Sequence, residues 1–266
     1  MSEVKIAPIP DLGQRTDEIT IYAGPCSVES AEQFDEVAEC IADLGLTWIR
    51  GGAFKPRTNP HSFQGLGEEA LKIMKSAGDK YGLKTLTEVM DSAHCQLVAD
   101  YVDGLQVGAR NFQNFSLLKK IGEVTADTHQ MVLYKRGFAG TIAEWLAATD
   151  YITDHGNTNV VLCERGIRTF ETSMRNTLDL AGVVMLHKMT HLPVVVDPSH
   201  ACGHAWMVPQ LAKAAVAAGA DGLMIEVHNN PAKAKCDGAQ SLTPDQFDEL
   251  MQFVSKEVEF FGKKMN

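Results

Sequence analysis

The sequence lacks both a long apolar run and an excess of positive charge. No stretch approaches about 18 consecutive apolar residues, the length at which a membrane-spanning helix becomes the expected interpretation. Residues 1–14, MSEVKIAPIPDLGQ, lack the charged region and apolar core of an export signal. With 34 acidic and 24 basic residues, the net charge is −10, which argues against a general surface for nucleic acid or anionic lipid. We expect a cytoplasmic protein that binds neither membranes nor nucleic acids.

Two common nucleotide-binding motifs are also missing. Neither GxGxxG nor GxxxxGK[ST] occurs in the chain, so no dinucleotide or P-loop site is predicted. The 6 cysteines are scattered through 266 residues, unlike the dense spacing of a disulfide framework. Most of them are expected to be buried thiols. Cys26 differs because it follows Gly24 and Pro25 at the end of an apolar run, where its side chain becomes a candidate ligand or nucleophile.

Eight short apolar runs alternate along the chain with amphipathic stretches of helical spacing. Eight strand–helix pairs are the number in a closed (β/α)8 barrel of about 250 residues. A doubly wound open sheet would have fewer strands and a Gly-rich turn. We therefore predict an α/β fold, a (β/α)8 TIM barrel, with residues 1–18 as an N-terminal arm and residues 19–266 as a single catalytic domain. The spacing also predicts helices over residues 92–102 and 172–189.

Residues capable of chemistry follow the apolar runs. In a barrel of this kind the active site lies at the carboxyl ends of the strands, so these residues are expected to meet at one mouth. The residues are Cys26, Lys55, Arg57, Glu88, Arg110, Lys135, Arg136, Glu164, Arg165, His200 and Glu226. The long loop over residues 51–67 adds His61 and Gln64 to the polar wall, and loops of this length are commonly functional.

Positive charge gathers at the strand ends although the chain as a whole is acidic. Arginine offers a planar fork for phosphate or carboxylate oxygens and lysine offers a compact charge, so the set predicts a pocket for several negative charges. Two phosphorylated substrates account for this number of cations better than one. One or two of the cations are expected to pair with strand-end acids such as Glu88 and Glu164 instead. The cations are Lys55, Arg57, Arg110, Lys135 and Arg165, with Arg136 and Arg168 close by.

A second set of residues offers a thiol, an imidazole and two carboxylates after strands one, seven and eight: Cys26, His200, Glu226 and Asp237. These strands are adjacent once the barrel closes, so the four groups can converge on one divalent ion. Their mixed softness suits Mn, Fe, Co or Zn better than Mg or Ca. Spacing alone also allows structural roles for these residues: His200 as a strand-capping histidine, Cys26 as a packed thiol and Asp237 as part of an Asp-Gly turn. His204 and His228 are alternative or supporting groups.

Several long blocks of the sequence resemble the 3-deoxy-D-arabino-heptulosonate-7-phosphate (DAHP) synthase family, nearest its type Iβ branch. The similarity runs from about residue 19 to about residue 260, with the blocks in the family's order. The blocks are GPCS at 24–27, GGAFKPRTNPHSFQGLG at 51–67, QVGARNFQNFSLL at 106–118, LYKRG at 133–137, LCERGIRTFE at 162–171, DPSH at 197–200, and IEVHNNP with CDGAQSL within 225–242.

The resemblance implies a (β/α)8 barrel that condenses phosphoenolpyruvate with erythrose 4-phosphate and releases phosphate. This reaction opens the shikimate pathway to the aromatic amino acids, and the family implies one divalent transition metal and a homotetramer. By resemblance the metal ligands are Cys26, His200, Glu226 and Asp237. Phosphoenolpyruvate contacts Arg110, Lys135 and Arg165, with Lys55 near the reacting centre and Glu88 as an acid near the phosphate, and erythrose 4-phosphate contacts Arg57 and Thr58. For the proton transfers of this reaction, the candidate carriers are Lys55, Lys135 or His200.

Some positions depart from the family pattern. His204 stands where the family often has Arg, Asn229 and Asn230 replace a more usual Pro-Glu, and Cys236 replaces a common Ser. We hypothesise that Cys26 and Cys236 approach closely enough to form a disulfide when the metal is absent. Relatives often carry an N-terminal regulatory domain, so with 18 residues before the barrel we expect a stand-alone enzyme insensitive to Phe, Tyr and Trp.

Three other functions remain open. The nearest is 3-deoxy-D-manno-octulosonate-8-phosphate synthase, which runs the same chemistry on arabinose 5-phosphate but resembles KANRS where this chain has KPRT. A metal-dependent phosphosugar aldolase or isomerase would also use a barrel, a metal and phosphate-binding cations. A non-catalytic metabolite-binding barrel would be expected to have lost ligands such as Cys26 or His200, and both are present.

Overall fold

The computed structural model describes residues 18–55, 59 and 61–266. Within this part of the chain, eight parallel strands pair in sequential order, and β1 pairs with both β2 and β8, which closes the barrel. The predicted (β/α)8 barrel is confirmed. The strands are β1 (Glu18–Gly24), β2 (Trp48–Arg50), β3 (Lys84–Val89), β4 (Gly104–Val107), β5 (Met131–Lys135), β6 (Val160–Glu164), β7 (Val194–Val196) and β8 (Gly222–Glu226).

A short strand that the sequence did not predict, β9 (Lys264–Met265), pairs with the start of β1 at Glu18 and Ile19. Glu18 therefore lies in the barrel sheet. Residues 1–17 lie outside the described residues, so the N-terminal arm stays a prediction. No helix in the described part of the chain is long and apolar enough to cross a membrane.

Nine α-helices occur in the described residues, and polar side chains begin most of them. Ser30 accepts the Gln33 N–H at the start of α1, and Thr141 and Thr243 form capping boxes that begin α5 and α9. The helices are α1 (Ala31–Asp43), α2 (Glu68–Tyr81), α3 (Cys95–Ala99), α4 (Phe115–Thr125), α5 (Ile142–Thr153), α6 (Leu180–Met189), α7 (Pro198–Cys202), α8 (Val208–Ala217) and α9 (Pro244–Phe260).

Two predicted helix boundaries are wrong. The spacing predicts a helix over 92–102, but within that range only α3 is an α-helix. The Asp91 side chain accepts hydrogen bonds from the backbone N–H groups of Ala93 and His94 and holds them in a turn before α3 begins. The helix predicted over 172–189 begins only at α6. Asp179 caps α6 by accepting the Gly182 N–H, and the preceding segment is a loop whose Thr177 bridges to Ile167.

Alternation along the strands places the polar site groups. Apolar side chains form a cluster separate from the helix-facing core, and in a strand the residue two positions further along points to the same face. Each polar group at the strand ends therefore stands directly above an apolar residue inside the barrel. The pairs are Trp48 and Arg50, Leu86 and Glu88, Leu133 and Lys135, Cys163 and Arg165, Val195 and Asp197, and Met224 and Glu226.

Candidate active site

The four predicted metal ligands converge at the carboxyl end of the barrel. The candidate ligand atoms of Cys26, His200, Glu226 and Asp237 all lie within 4.8 Å of one another. Cys26 Sγ lies 3.1 Å from Asp237 Oδ2, and His200 Nε2 lies 3.2 Å from Glu226 Oε1. Asp237 adopts the left-handed conformation, with φ 52° and ψ 31°, in the loop after β8. The structure brings the four side chains together, and their role as ligands stays a prediction.

The charge balance of this cluster fits a divalent ion. The pKa of Glu226 is raised well above its usual value, first by burial and then by the negative charge of Cys26. Burial raises the pKa of Asp237, but the neighbouring His200 and Arg175 lower it more, so its carboxylate stays ionised. A fully deprotonated cluster would place three anionic groups in a mostly buried space, and a divalent cation would offset two of these charges. The sulfur, nitrogen and oxygen donors suit first-row transition ions.

Asp197, to which the sequence analysis gave no role, orients His200. Its Oδ2 lies 2.7 Å from His200 Nδ1 and 2.6 Å from Lys135 Nζ, and its Oδ1 accepts the His200 backbone N–H. Burial raises the pKa of Asp197, but His200 and Lys135 lower it further, to well below the usual value. The carboxylate therefore lies against Nδ1 and Nε2 faces the ligand cluster, an arrangement that is common for histidines at metal sites.

A cavity of about 330 Å³ opens above the cluster, and predicted anion-binding cations line it together with two of the candidate ligands. The lining includes Lys55, Arg110, Lys135, Arg165, Glu88, His200 and Asp237. Asn59 and Ser62, from the loop after β2, form part of the same wall. Arg57 and Thr58, predicted to contact the sugar phosphate, lie outside the described residues. His61, predicted for the same polar wall, is exposed.

Lys55 joins the cation wall to the ligand cluster. Its Nζ lies 3.1 Å from both the sulfur and the carbonyl oxygen of Cys26. Burial lowers the pKa of Lys55, but the negative charges of Cys26, Cys236 and Glu88 together raise it more, so the amine stays protonated. A buried ammonium beside a candidate ligand is available to hold a substrate anion close to the ion.

Arg165 and Arg110 occupy contrasting positions in the cavity. Arg165 is buried, donates to the carbonyl oxygen of His200 at 3.0 Å and lies over the Phe138 ring at 4.8 Å. Arg110 is exposed at the rim. Glu88 lies on the wall between them and the barrel, and a Cβ at Gly108 would come within 2.0 Å of Glu88 Oε1. The glycine therefore leaves room for this carboxylate.

Two of the cations singled out in the sequence serve other contacts. Arg136 is buried and pairs with Glu164 at 2.9 Å and with Asp179 at 2.8 Å, as expected for one or two members of the set. The guanidinium of Arg168 lies over the Phe138 ring, 5.1 Å from its centroid. Glu164 is therefore a structural partner of Arg136.

The two alternative histidines lie outside the four-residue ligand group. His228 Nε2 lies 3.6 Å from Glu29 Oε1, and His204 Nε2 lies 3.3 Å from the Ser173 carbonyl oxygen. Three further polar residues contact the ligand carboxylates, and the sequence analysis gave none of them a role. They are Arg50, Arg175 and Gln240. Alternation from Trp48 could have identified Arg50, whereas the helix predicted over 172–189 concealed Arg175.

Residues 12–260 match the DAHP synthetase I family. The chain belongs to this family. A phospho-2-dehydro-3-deoxyheptonate aldolase from Thermotoga maritima is 49% identical over 247 residues, which are 93% of this chain and 72% of the relative. A crystal structure of a protein with that name, also called DAHP synthase, from the same organism matches with a TM-score of 0.90 at 49% identity, over 94% of this chain and 72% of that one. The predicted resemblance is confirmed.

A second branch of similar proteins bears on substrate choice. A 2-dehydro-3-deoxyphosphooctonate aldolase from Nitrobacter hamburgensis is 32% identical over 275 residues, which are 94% of this chain and 92% of the relative. This identity is clearly lower than the 49% found for the heptonate aldolase. The comparison therefore favours the heptonate branch of the DAHP synthetase I family.

This member of the DAHP synthetase I family carries a second thiol beside its candidate ligand. Cys236 Sγ lies 3.2 Å from Cys26 Sγ, and both thiols are buried. The hydrogen bond from Cys26 lowers the pKa of Cys236 to about 7. That same contact, followed by burial, raises the pKa of Cys26. The two thiols therefore differ in acidity although they are in direct contact, and the predicted close approach of the two residues is observed.

Proposed function

We propose that this protein condenses phosphoenolpyruvate with D-erythrose 4-phosphate and water to give DAHP and inorganic phosphate. It is then a transferase that forms a carbon–carbon bond in the first step of the shikimate pathway. One observation carries the proposal: a single cavity is lined both by His200 and Asp237 of the ligand cluster and by Lys55, Arg110 and Arg165. Membership of the DAHP synthetase I family supports the same reaction.

Phosphoenolpyruvate is assigned to the side of the cavity formed by Arg110, Lys135 and Arg165. A buried guanidinium and ammonium bind phosphate and carboxylate oxygens more strongly than exposed ones, because water competes less for them. Lys55 lies between this side and Cys26, where it can hold the substrate carboxylate. Glu88 is proposed to lie near the phosphate of phosphoenolpyruvate.

Erythrose 4-phosphate is assigned to the side formed by the loop after β2. Asn59 and Ser62 of that loop line the cavity, and we propose Arg57 and Thr58 as the contacts for the sugar phosphate. Holding two phosphorylated substrates together opposes their mutual repulsion. Fixed cations on both sides offset this repulsion and orient the reacting carbons.

Cys26, His200, Glu226 and Asp237 are proposed to hold one divalent ion of Mn, Fe, Co or Zn. When bound, the ion supplies Lewis-acid polarisation of the aldehyde oxygen of erythrose 4-phosphate. The side chains of this site hold the two substrates around that position. Asp197 lies 2.7 Å from Nδ1 of His200, and this close carboxylate suits His200 to a ligand role better than to the proton transfer also predicted for it.

The bonds balance as follows. C3 of phosphoenolpyruvate forms the new bond to the aldehyde carbon, whose oxygen takes up a proton. Water adds at C2 and gives up one proton. The resulting C2 hydroxyl then loses its second proton as it becomes the ketone, and the bond between C2 and the phosphate oxygen breaks, so that inorganic phosphate leaves with the electron pair and takes up that proton. Lys55 and Lys135 are the proposed proton carriers, because both are buried ammonium groups on the cavity wall.

Three wider assignments accompany this function. We propose residues 19–266 as a single catalytic domain, a homotetramer as the assembly, and the cytoplasm as the location. The family resemblance supports the homotetramer, and the resemblance together with the composition of the chain supports the single domain and the location.

The test is the loss of phosphoenolpyruvate absorbance with erythrose 4-phosphate or arabinose 5-phosphate, with and without EDTA. We expect EDTA-sensitive consumption that requires erythrose 4-phosphate and releases one phosphate per phosphoenolpyruvate. Faster consumption with arabinose 5-phosphate would assign the octulosonate reaction instead. Conversion of either sugar without phosphoenolpyruvate would assign an aldolase or isomerase.

A further inference from the structure

Arg175 reaches the metal-ligand cluster from a loop to which the sequence analysis gave no role. Its backbone N–H donates to the Cys202 carbonyl oxygen at 3.1 Å, and the next N–H, of Asn176, donates to Ala201 at 2.7 Å. Both acceptors lie in α7, the short helix that carries His200. At the end of α7, a Cβ on Gly203 would come within 2.8 Å of the Arg175 Cβ. The loop is therefore fixed closely against the helix that presents the imidazole.

The guanidinium of Arg175 contacts two groups of the loop after β8. Its Nη1 lies 3.3 Å from Asp237 Oδ1 and donates to Gln240 Oε1 at 2.9 Å. Gln240 is buried, and its Nε2 donates to Glu226 Oε2 at 2.6 Å. Arginine only donates and a carboxylate only accepts, so the amide of Gln240 has one orientation that satisfies both neighbours.

Each carboxylate of the cluster thus has one oxygen facing the other ligands and one oxygen facing this pair. Asp237 Oδ2 lies beside Cys26, and Oδ1 faces Arg175. Glu226 Oε1 lies beside His200, with Arg50 Nη1 3.4 Å away, and Oε2 faces Gln240. The division is the same for both residues although they lie on different elements of the fold.

We propose that Arg175 and Gln240 act together as positioning residues that fix Glu226 and Asp237 as one-oxygen ligands of the ion. This inference rests on the proposed metal site. Outer groups that hold ligating side chains raise metal affinity because they reduce the freedom that binding must remove and fix which atom faces the ion. Because Gln240 receives its hydrogen bond from Arg175, the two side chains are expected to work as a unit.

The experiment measures the dissociation constant of Mn²⁺ and Zn²⁺ by competition with a chromophoric chelator, using metal-free full-length protein. Arg175→Met and Gln240→Leu should each weaken binding about 10- to 100-fold. The double variant should lose little more than either single variant, since residues that act as one network are not additive. Arg168→Met is the matched control, because this arginine belongs to the same loop but stacks on Phe138 instead. The metal affinity of this variant should stay within about twofold of that of the unmodified protein.

One further variant separates an effect on the ligands from a perturbation of the fold. Gln240→Glu preserves size and still accepts from Arg175, but as a carboxylate it no longer donates to Glu226. It should weaken binding and shift the visible absorption bands of the Co²⁺-loaded protein, with unfolding of the metal-free protein at an unchanged temperature. Unaltered affinity and spectra in Arg175→Met, Gln240→Leu and Gln240→Glu would overturn the inference.

A reference variant separates this inference from the metal site itself. If Cys26→Ala weakens binding while the Arg175 and Gln240 variants do not, only the positioning role is wrong. If Cys26→Ala also leaves affinity unchanged, the ligand assignment falls and this inference falls with it.

Discussion

His200 Nδ1 lies 2.7 Å from Oδ2 of Asp197, and the same carboxylate oxygen receives Lys135 Nζ at 2.6 Å. One buried carboxylate thus supports a candidate metal ligand and a candidate phosphate contact at once. Asp197 contacts both the ligand side of the cavity, through His200, and the cation side, through Lys135. A change at this residue is therefore expected to disturb both sides.

Asp197→Asn should weaken Mn²⁺ or Zn²⁺ binding by about 10- to 100-fold, because the amide holds the imidazole less firmly than the carboxylate does. It should also raise KM for phosphoenolpyruvate, because Lys135 loses its charged partner. Chelator competition and steady-state kinetics measure the two effects. Asp221→Asn is the matched control: it alters an Asp–His pair with His187 at 3.2 Å, and metal affinity should be retained. Unchanged metal affinity in Asp197→Asn would contradict this role.

Arg165→Ala should lower kcat/KM for phosphoenolpyruvate by about 10- to 150-fold, which corresponds to about 1.5–3 kcal/mol for a hydrogen bond to a charged group. The guanidinium is buried on the cavity wall, so no water replaces it cheaply. KM for erythrose 4-phosphate should change much less. Arg168→Ala, at the outer side of the same Phe138 ring, provides the comparison and should have a small effect. Equal losses in both variants would remove the assignment of Arg165.

Metal affinity should rise with pH. Burial is the main cause that raises the pKa of Glu226, and the contact with Cys236 followed by burial raises the pKa of Cys26. Both groups hold protons in the metal-free protein, and binding an ion releases them, so lower pH weakens binding by up to about tenfold per pH unit for each proton. Calorimetric titration in buffers of different ionisation enthalpy counts the protons. A dissociation constant that stays level between about pH 6 and pH 8 would refute this coupling.

Mild oxidation of the metal-free protein with diamide should join Cys26 and Cys236. Their sulfurs already lie 3.2 Å apart, and diamide accepts the two electrons and two protons that disulfide formation releases. The free-thiol count should fall by two per chain, and bound metal should protect both thiols because Cys26 is then a ligand. Cys236→Ser should lose no such pair. An unchanged thiol count in the metal-free protein would show that the bond does not form.

The sequence was sufficient to predict the barrel and the meeting of its four candidate ligands. Strand ends in a parallel barrel all reach the same mouth, so Cys26, His200 and Glu226 could be placed there without knowing any distance. Asp237 followed from its position in the loop after the eighth strand. The same logic gathered Lys55, Arg110, Lys135 and Arg165 around one cavity.

Side-chain partnerships were harder to predict, because they depend on where local turns begin. Helical spacing over 172–189 concealed the loop that carries Arg175, since Asp179 starts the helix only at Leu180. The periodicity of apolar residues indicates which face of a helix is buried. It does not show which polar side chain caps the backbone and so where the helix begins. Arg136 likewise pairs with Glu164 and does not face a substrate. That pairing depends on a distance in the folded protein, which the spacing of residues in the sequence does not give.

The two-residue spacing between the apolar interior and the polar mouth has a consequence for how this barrel tolerates change. Deleting one residue within β6 would reverse the faces of its end, so that Arg165 would point into the surrounding helices and Glu164 into the cavity. Insertions and deletions are therefore confined to the connecting segments, while strand interiors accept only substitutions that preserve length. Libraries that aim to alter substrate choice should vary the loop over residues 51–67 and leave strand lengths fixed.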